Sequence, residues 1–108
     1  METPEIGIGW TTTETEAEAN DLAARLIASG LAACVQVDGP VRSHYRWQGQ
    51  VETGQEWRLA VKFALARAGT LRAFLDENHP YDTPQWVVAR AVDVLPAYAA
   101  WVADVRPA

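Results

Sequence analysis

Cysteine is almost absent: Cys34 is the only one in 108 residues. No intrachain disulfide can form, a cysteine-rich metal cage is excluded, and a reducing cytoplasm is the expected compartment. Positive charge is scarce as well. Nine Lys and Arg stand against fourteen Asp and Glu, for a net charge of −5. This argues against a nucleic-acid binder, which needs a basic face, and it mildly attracts cations. The opening Met-Glu-Thr-Pro-Glu lacks the basic region and apolar run of a signal peptide, and no stretch is long enough to cross a bilayer. Repeats, linkers and low-complexity tracts are missing. Tryptophan, by contrast, is abundant, with five; aromatics pack cores and anchor interfaces alike. The length suits one domain over residues 1–108. A chain this small buries only part of its apolar surface, so an uncovered sheet face would invite oligomerisation.

Periodicity divides the chain. Ile6-Gly7-Ile8-Gly9-Trp10 alternates apolar residues with glycine and reads as a first strand, its glycines suiting close backbone packing. Thr11-Thr12-Thr13 is expected to end it, with Thr13 as N-cap and Glu16 at N3 of a capping box. The helix that follows carries Ala19, Leu22, Ala23, Leu26 and Ile27 on one stripe, and Gly30 is its natural C-cap. Glu14, Glu16, Glu18 and Asp21 match the positive end of the helix dipole. Ala32–Val37 is a second strand, interrupted by a turn or bulge at Asp38-Gly39-Pro40 and resuming at Val41–Trp47. Gln48-Gly49 is a two-residue hairpin turn. The third strand runs from about Gln50 to Phe63, with a break expected near Gly54. Trp57, Leu59, Val61 and Phe63 point one way, and Glu56, Arg58, Ala60 and Lys62 the other. A second helix covers Ala66–Asn78, with Thr70 a candidate cap. A fourth strand covers Trp86–Val92, and Pro96 opens a short C-terminal helix.

The order β-α-β-β-α-β plus a terminal helix is an α+β, ferredoxin-like sandwich with a long β2-β3 hairpin. Right-handed crossovers place both main helices on the face of Trp57, Leu59, Val61 and Phe63. Ala32, Cys34 and Gln36 are expected on the opposite face with Lys62. Tyr45 and Trp47 share one side of the hairpin and cannot reach the protein's own core, which suggests an arm gripping a neighbour.

His79-Pro80-Tyr81-Asp82-Thr83-Pro84 gathers an imidazole, a phenol, a carboxylate and a hydroxyl on a stiff connector between helix and strand. His79 has the chemistry of a copper or zinc ligand and equally of a helix-capping group; Asp82 is the one anionic partner beside it. Cys34 in an apolar strand reads as an inert, buried thiol. Other chemistries lack their residues. Trp10-Thr11-Thr12-Thr13 supplies no loop arginine to hold a phosphate, as an acylphosphatase needs. No Ser/His/Asp or Cys/His arrangement is readable, so no enzyme is expected. Glu56-Arg58-Ala60 on the central strand argues against RNA recognition.

Four segments resemble the CutA family of divalent-ion tolerance proteins: Gly30-Leu31-Ala32-Ala33-Cys34-Val35, Ser43-His44-Tyr45-Arg46-Trp47-Gln48-Gly49, Val61-Lys62, and His79 to Pro84. The terminal Tyr98…Trp101 helix is similar too. The resemblance implies a tight homotrimer of PII-like architecture, with hairpin arms extending the sheets between subunits and clefts between them. It implies a part in copper and other divalent-cation tolerance, with no catalysed reaction and no required cofactor, Cu2+ or another divalent cation being the metal implied. His79 and Asp82 then stand as metal-ligand candidates, and Thr11, Tyr45, Trp47, Glu56, Lys62 and Tyr81 as residues of the cleft. Glu56 and Lys62 read either as forming a buried ion pair, within the chain or to another subunit, or as part of an anion site. Three departures each remove a ligand that other members offer: Trp10 for a thiol, Asn78 for a second histidine and Gln85 for a glutamate. The alternative is a PII-like signalling or scaffold trimer that binds a small anionic ligand or a partner protein.

Overall fold

The computed structural model describes residues 3–107. Its strands are β1 (Ile6–Thr13), β2 (Cys34–Trp47), β3 (Gln50–Ala64) and β4 (Val87–Arg90), and its helices are α1 (Glu16–Ser29), α2 (Ala68–Asn78) and α3 (Pro96–Ala103). The four strands form one antiparallel sheet in the order β2-β3-β1-β4, the expected ferredoxin-like arrangement.

The register explains which residues are buried. Gly7, Gly9, Thr11 and Thr13 of β1 stand opposite Phe63, Val61, Leu59 and Trp57 of β3. This face is covered by α1 and α2: Leu59, Val61 and Phe63 pack with Ala19, Leu22, Leu26, Leu71 and Leu75. Gly7 and Gly9 leave room for large rings. A Cβ on Gly7 would come within 2.8 Å of Phe63, and one on Gly9 within 2.1 Å of Trp86. Close packing of these two glycines is therefore borne out.

The first strand does not stop at Trp10. Thr11, Thr12 and Thr13 pair with Leu59, Arg58 and Trp57 and are buried. Helix α1 accordingly starts two residues later than expected. Thr15 is the N-cap, and Glu18, not Glu16, completes the capping box. Thr13 instead donates its hydroxyl to the Thr15 carbonyl at 2.9 Å. Thr15→Ala removes the acceptor for the Glu18 N–H and should lower stability by about 1 kcal/mol, measurable by urea denaturation; Thr13→Val should spare the cap. Gly30 closes α1 in the left-handed conformation, φ 76°.

Asp38-Gly39-Pro40 is a bulge within one strand, where the pairing register shifts between Asp38 and Val41. Strand β3 is unbroken at Gly54, which pairs with Ser43. Gln48 and Gly49 have φ of 51° and 79°, as a tight two-residue hairpin turn requires. A 3-10 turn at Leu65–Arg67 precedes α2, and no side chain caps that helix, so Thr70 is not its cap. Strand β4 is shorter than the expected Trp86–Val92: its ladder with β1 covers Val87 to Arg90, and the Ala91 N–H adds one bond to the Ile6 carbonyl at 3.0 Å.

The second face is partly covered by α3, where Ala99 and Val102 pack on Ile6. Cys34 and Gln36 lie on this face opposite Lys62 and Ala60. Cys34 is only partly buried. Ala32, expected with them, is buried in the main core instead, since it precedes the strand and does not follow its alternation. Ile8, Trp10 and Val87 belong to the same face by register, and Val87 is 57% exposed. Beyond Thr13 no further strand among the described residues lies beside the β2-β3 ribbon, and these residues span 51 × 28 × 23 Å.

Candidate functional site

The far end of β1, the base of the ribbon and the connector after α2 meet at one place. The connector starts at His79, the extended C-cap of α2, whose N–H reaches the Leu75 carbonyl at 2.9 Å. Pro80 ends the helix, and the half-buried imidazole folds over the end of β1. His79 Nδ1 accepts the Tyr81 backbone N–H at 3.0 Å, and Nε2 lies 2.9 Å from Thr11 Oγ1. Since Nδ1 is an acceptor, the proton of the neutral ring sits on Nε2 and is donated to Thr11. Burial holds the His79 pKa below its ordinary value, outweighing the opposing pull of the Thr12 backbone and the Glu18 and Glu56 carboxylates.

The Tyr81 ring packs against His79, with centroids 5.1 Å apart, and its hydroxyl donates to Glu56 Oε2 at 2.9 Å. Burial, the Glu56 bond and the charges of Glu56, Glu14 and Glu18 all raise the Tyr81 pKa. Burial pushes Glu56 upward, but hydrogen bonds from Ser43, Thr12 and Tyr81 outweigh it and hold the carboxyl below its ordinary value. The result is a pocket of one imidazole, one phenol and several hydroxyls around a carboxylate that stays charged, in a field made negative by Glu14 and Glu18.

The structure thus brings together Thr11, Glu56, His79 and Tyr81. Tyr45 and Trp47 lie further along the ribbon, paired with Glu52 and Gln50 and about half exposed. Asp82 is exposed on the connector. Lys62 lies elsewhere: its ammonium donates to Gln36 Oε1 on the second sheet face. Within one chain Glu56 and Lys62 are not paired with each other; each has a different partner, since they stand six positions apart along an extended strand. Ser43 and Glu18 carry roles that their positions in the sequence did not signal. Ser43 reaches Glu56 only because the bulge sets the register of the ribbon.

Metal ligation by His79 would displace one of the two hydrogen bonds its ring makes. Among the described residues no group of three or more His, Cys, Asp and Glu side chains is placed to hold a metal ion. One chain alone therefore does not present a complete donor set.

A ferredoxin-like domain with a projecting two-stranded ribbon and this cluster at its base defines a class of small α+β protein recognised by its whole architecture. A family model described as CutA1 divalent ion tolerance protein matches residues 8–105, and the chain belongs to that family. It is 32% identical over 99 residues to the divalent-cation tolerance protein CutA of Citrobacter koseri, covering 92% of this chain and 86% of that one. The structure of CutA from Synechococcus elongatus superposes with a TM-score of 0.87 at 34% identity, covering 94% and 90% of the two chains. A structure from Archaeoglobus fulgidus, described as the periplasmic divalent cation tolerance protein CutA, gives a TM-score of 0.85 at 27% identity over 90% and 94%. The family is named for cation tolerance and not for a catalysed reaction. No helix among the described residues is long and apolar enough to cross a membrane.

Proposed function

We propose that the protein acts as a homotrimer in the tolerance of divalent cations, copper among them, binding metal at clefts between its subunits. The observation that carries this reading is the Glu56–Tyr81–His79–Thr11 cluster, whose neighbouring charges are carboxylates and whose single-chain donor set is incomplete. A cation is the ligand that such a field attracts, and a neighbouring subunit is the natural source of the missing donors. Two surfaces support self-association in a PII-like assembly. Tyr45, Trp47 and Val51 stand exposed on a ribbon that a domain this small cannot cover. Ile8, Trp10 and Val87 share a sheet face that α3 covers only in part. His79 and Asp82 supply ligands in this reading, and Thr11, Tyr45, Trp47, Glu56 and Tyr81 line the cleft. The lone cysteine suits a cytoplasmic location.

A second reading, a PII-like trimer that binds a small anion, rests on Lys62. Its hydrogen-bond partner is the neutral Gln36 amide, which leaves the ammonium charge for a carboxylate or phosphate ligand. Light scattering should give a particle of three times the 11.9 kDa chain, and Trp47→Ala should shift it toward smaller species. A monomer at micromolar concentration contradicts the assembly. If Lys62→Ala abolishes binding of an anion while leaving the trimer intact, the second reading replaces the first.

A further inference from the structure

We infer that a groove between α2 and the Pro84–Trp86 segment, lined by none of the residues of the His79 cluster, binds a free α-amino acid with an apolar side chain. The groove has a volume of about 570 Å³ and is lined by Gly69, Arg72, Ala73, Leu75 and Asp76 on one side and Pro84 and Trp86 on the other. Its volume is in the range of small-molecule sites. The wall opposite the helix is rigid. Trp86 packs on Phe63 with ring centroids 6.1 Å apart, and its indole tip fills the space above Gly9. Gly69 and Ala73 keep the helix side low; a Cβ on Gly69 would meet no atom within 4 Å. The apolar part of the groove is therefore a slot between an immobilised indole and a helix face kept low at Gly69 and Ala73, with Leu75 at its floor.

The charges at its rim point to a zwitterion. Arg72 and Asp76 are four residues apart on one face of α2, where their Cβ atoms stand about 6 Å apart. They form no salt bridge or hydrogen bond with each other or with any other described residue, whereas Asp21 and Arg25, with the same spacing on α1, pair at 3.0 Å. The order explains the contrast. The acid precedes the base in α1, the favoured sense, and follows it in α2. A guanidinium and a carboxylate that do not neutralise each other are left to meet an α-carboxylate and an α-ammonium, with the ligand side chain against Trp86. A fatty acid or a simple anion would leave Asp76 opposed, and a simple amine would leave Arg72 opposed.

The test is calorimetric titration of the full chain with L-phenylalanine, L-phenylalanine amide and N-acetyl-L-phenylalanine. The free amino acid should bind saturably, and each blocked derivative should bind about tenfold more weakly, a loss of one charged contact. Arg72→Ala should remove the penalty for amidation, and Asp76→Asn the penalty for acetylation. Gly69→Leu fills the slot and should abolish binding while leaving the melting temperature at or above that of the parent, since its side chain enters open space. No saturable binding up to about 10 mM, the weak limit for such a ligand, overturns the inference. So does equal binding of the three compounds, or unchanged binding by Gly69→Leu. None of these outcomes bears on metal binding at His79, whose residues are separate.

Discussion

Gly9→Ala should lower the stability of the fold by about 3 kcal/mol, the upper part of the range for forcing extra volume into a packed core. The added Cβ would lie 2.1 Å from Cη2 of Trp86, 2.6 Å from Cζ3 and 2.8 Å from Cζ2. The indole is a rigid plane backed by Phe63, so it cannot turn one atom aside as a flexible chain would. The strand cannot retreat either, because Gly9 is paired to Val61 on one side and to Val88 on the other. Trp86→Leu is destabilising by itself, but it removes the obstacle. In that background Gly9→Ala should cost less than about 1 kcal/mol, so the double-mutant cycle should show a strong favourable coupling between the two sites. Urea denaturation at several protein concentrations measures it; additive losses would contradict the contact.

The second large effect is expected from Tyr81→Phe, which takes a hydrogen bond from the charged Glu56 carboxylate. The loss should be about 1.5 kcal/mol at neutral pH, the low end for a bond to a charged group, because the site is only partly buried. It should also change the pH profile. Glu56 is held below its ordinary pKa in the fold, so its contribution is present above the unfolded value near 4.5 and is lost as the pH falls through the folded one. Without the phenol the folded pKa moves back toward the unfolded one, so the loss should be smaller and should end at higher pH. His79 adds an earlier step of the same sign. Its folded pKa is below the unfolded value of 6.5, so on acidification the unfolded chain takes up the proton first. The stability due to the neutral ring is full above pH 6.5 and drains below it, as a proton on Nδ1 opposes the Tyr81 N–H. Stability followed by urea denaturation from pH 8 to 4 should fall in two stages. His79→Gln should erase the upper stage and Glu56→Gln the lower. Tyr81 acts at the other end: its raised pKa contributes stability present below the unfolded value of 10 and lost as the pH climbs above it.

Much of this architecture is legible in the sequence. Alternation of Trp57, Leu59, Val61 and Phe63 placed the core face correctly, because a strand buried on one side has little freedom in which residues it hides. Gly30 and Gln48-Gly49 announced their turns through backbone conformations that few residues adopt. The capping box was misplaced because Thr13-Glu14-Thr15-Glu16-Ala17-Glu18 contains two overlapping copies of the motif. Only pairing of Thr11 to Thr13 with β3 decides between them. The site was half legible. His79, Tyr81, Glu56 and Thr11 were named as candidates, but they lie on three elements, and local sequence does not show that their side chains meet. Lys62 was grouped with Glu56 by strand parity, which fixes a face and says nothing of distance along it. The free charges of Arg72 and Asp76 were silent, since an i,i+4 pair in a helix reads first as a surface salt bridge.

Calorimetric titration of Cu2+ into the protein, beside His79→Ala and Glu56→Gln, tests the proposed role most directly. Saturable binding with one ion per chain, abolished by His79→Ala and weakened at least tenfold by Glu56→Gln while both variants keep the parent's oligomeric state, is the predicted result; a tenfold loss corresponds to about 1.4 kcal/mol. Absence of any heat of binding, or binding unchanged in both variants, would contradict it.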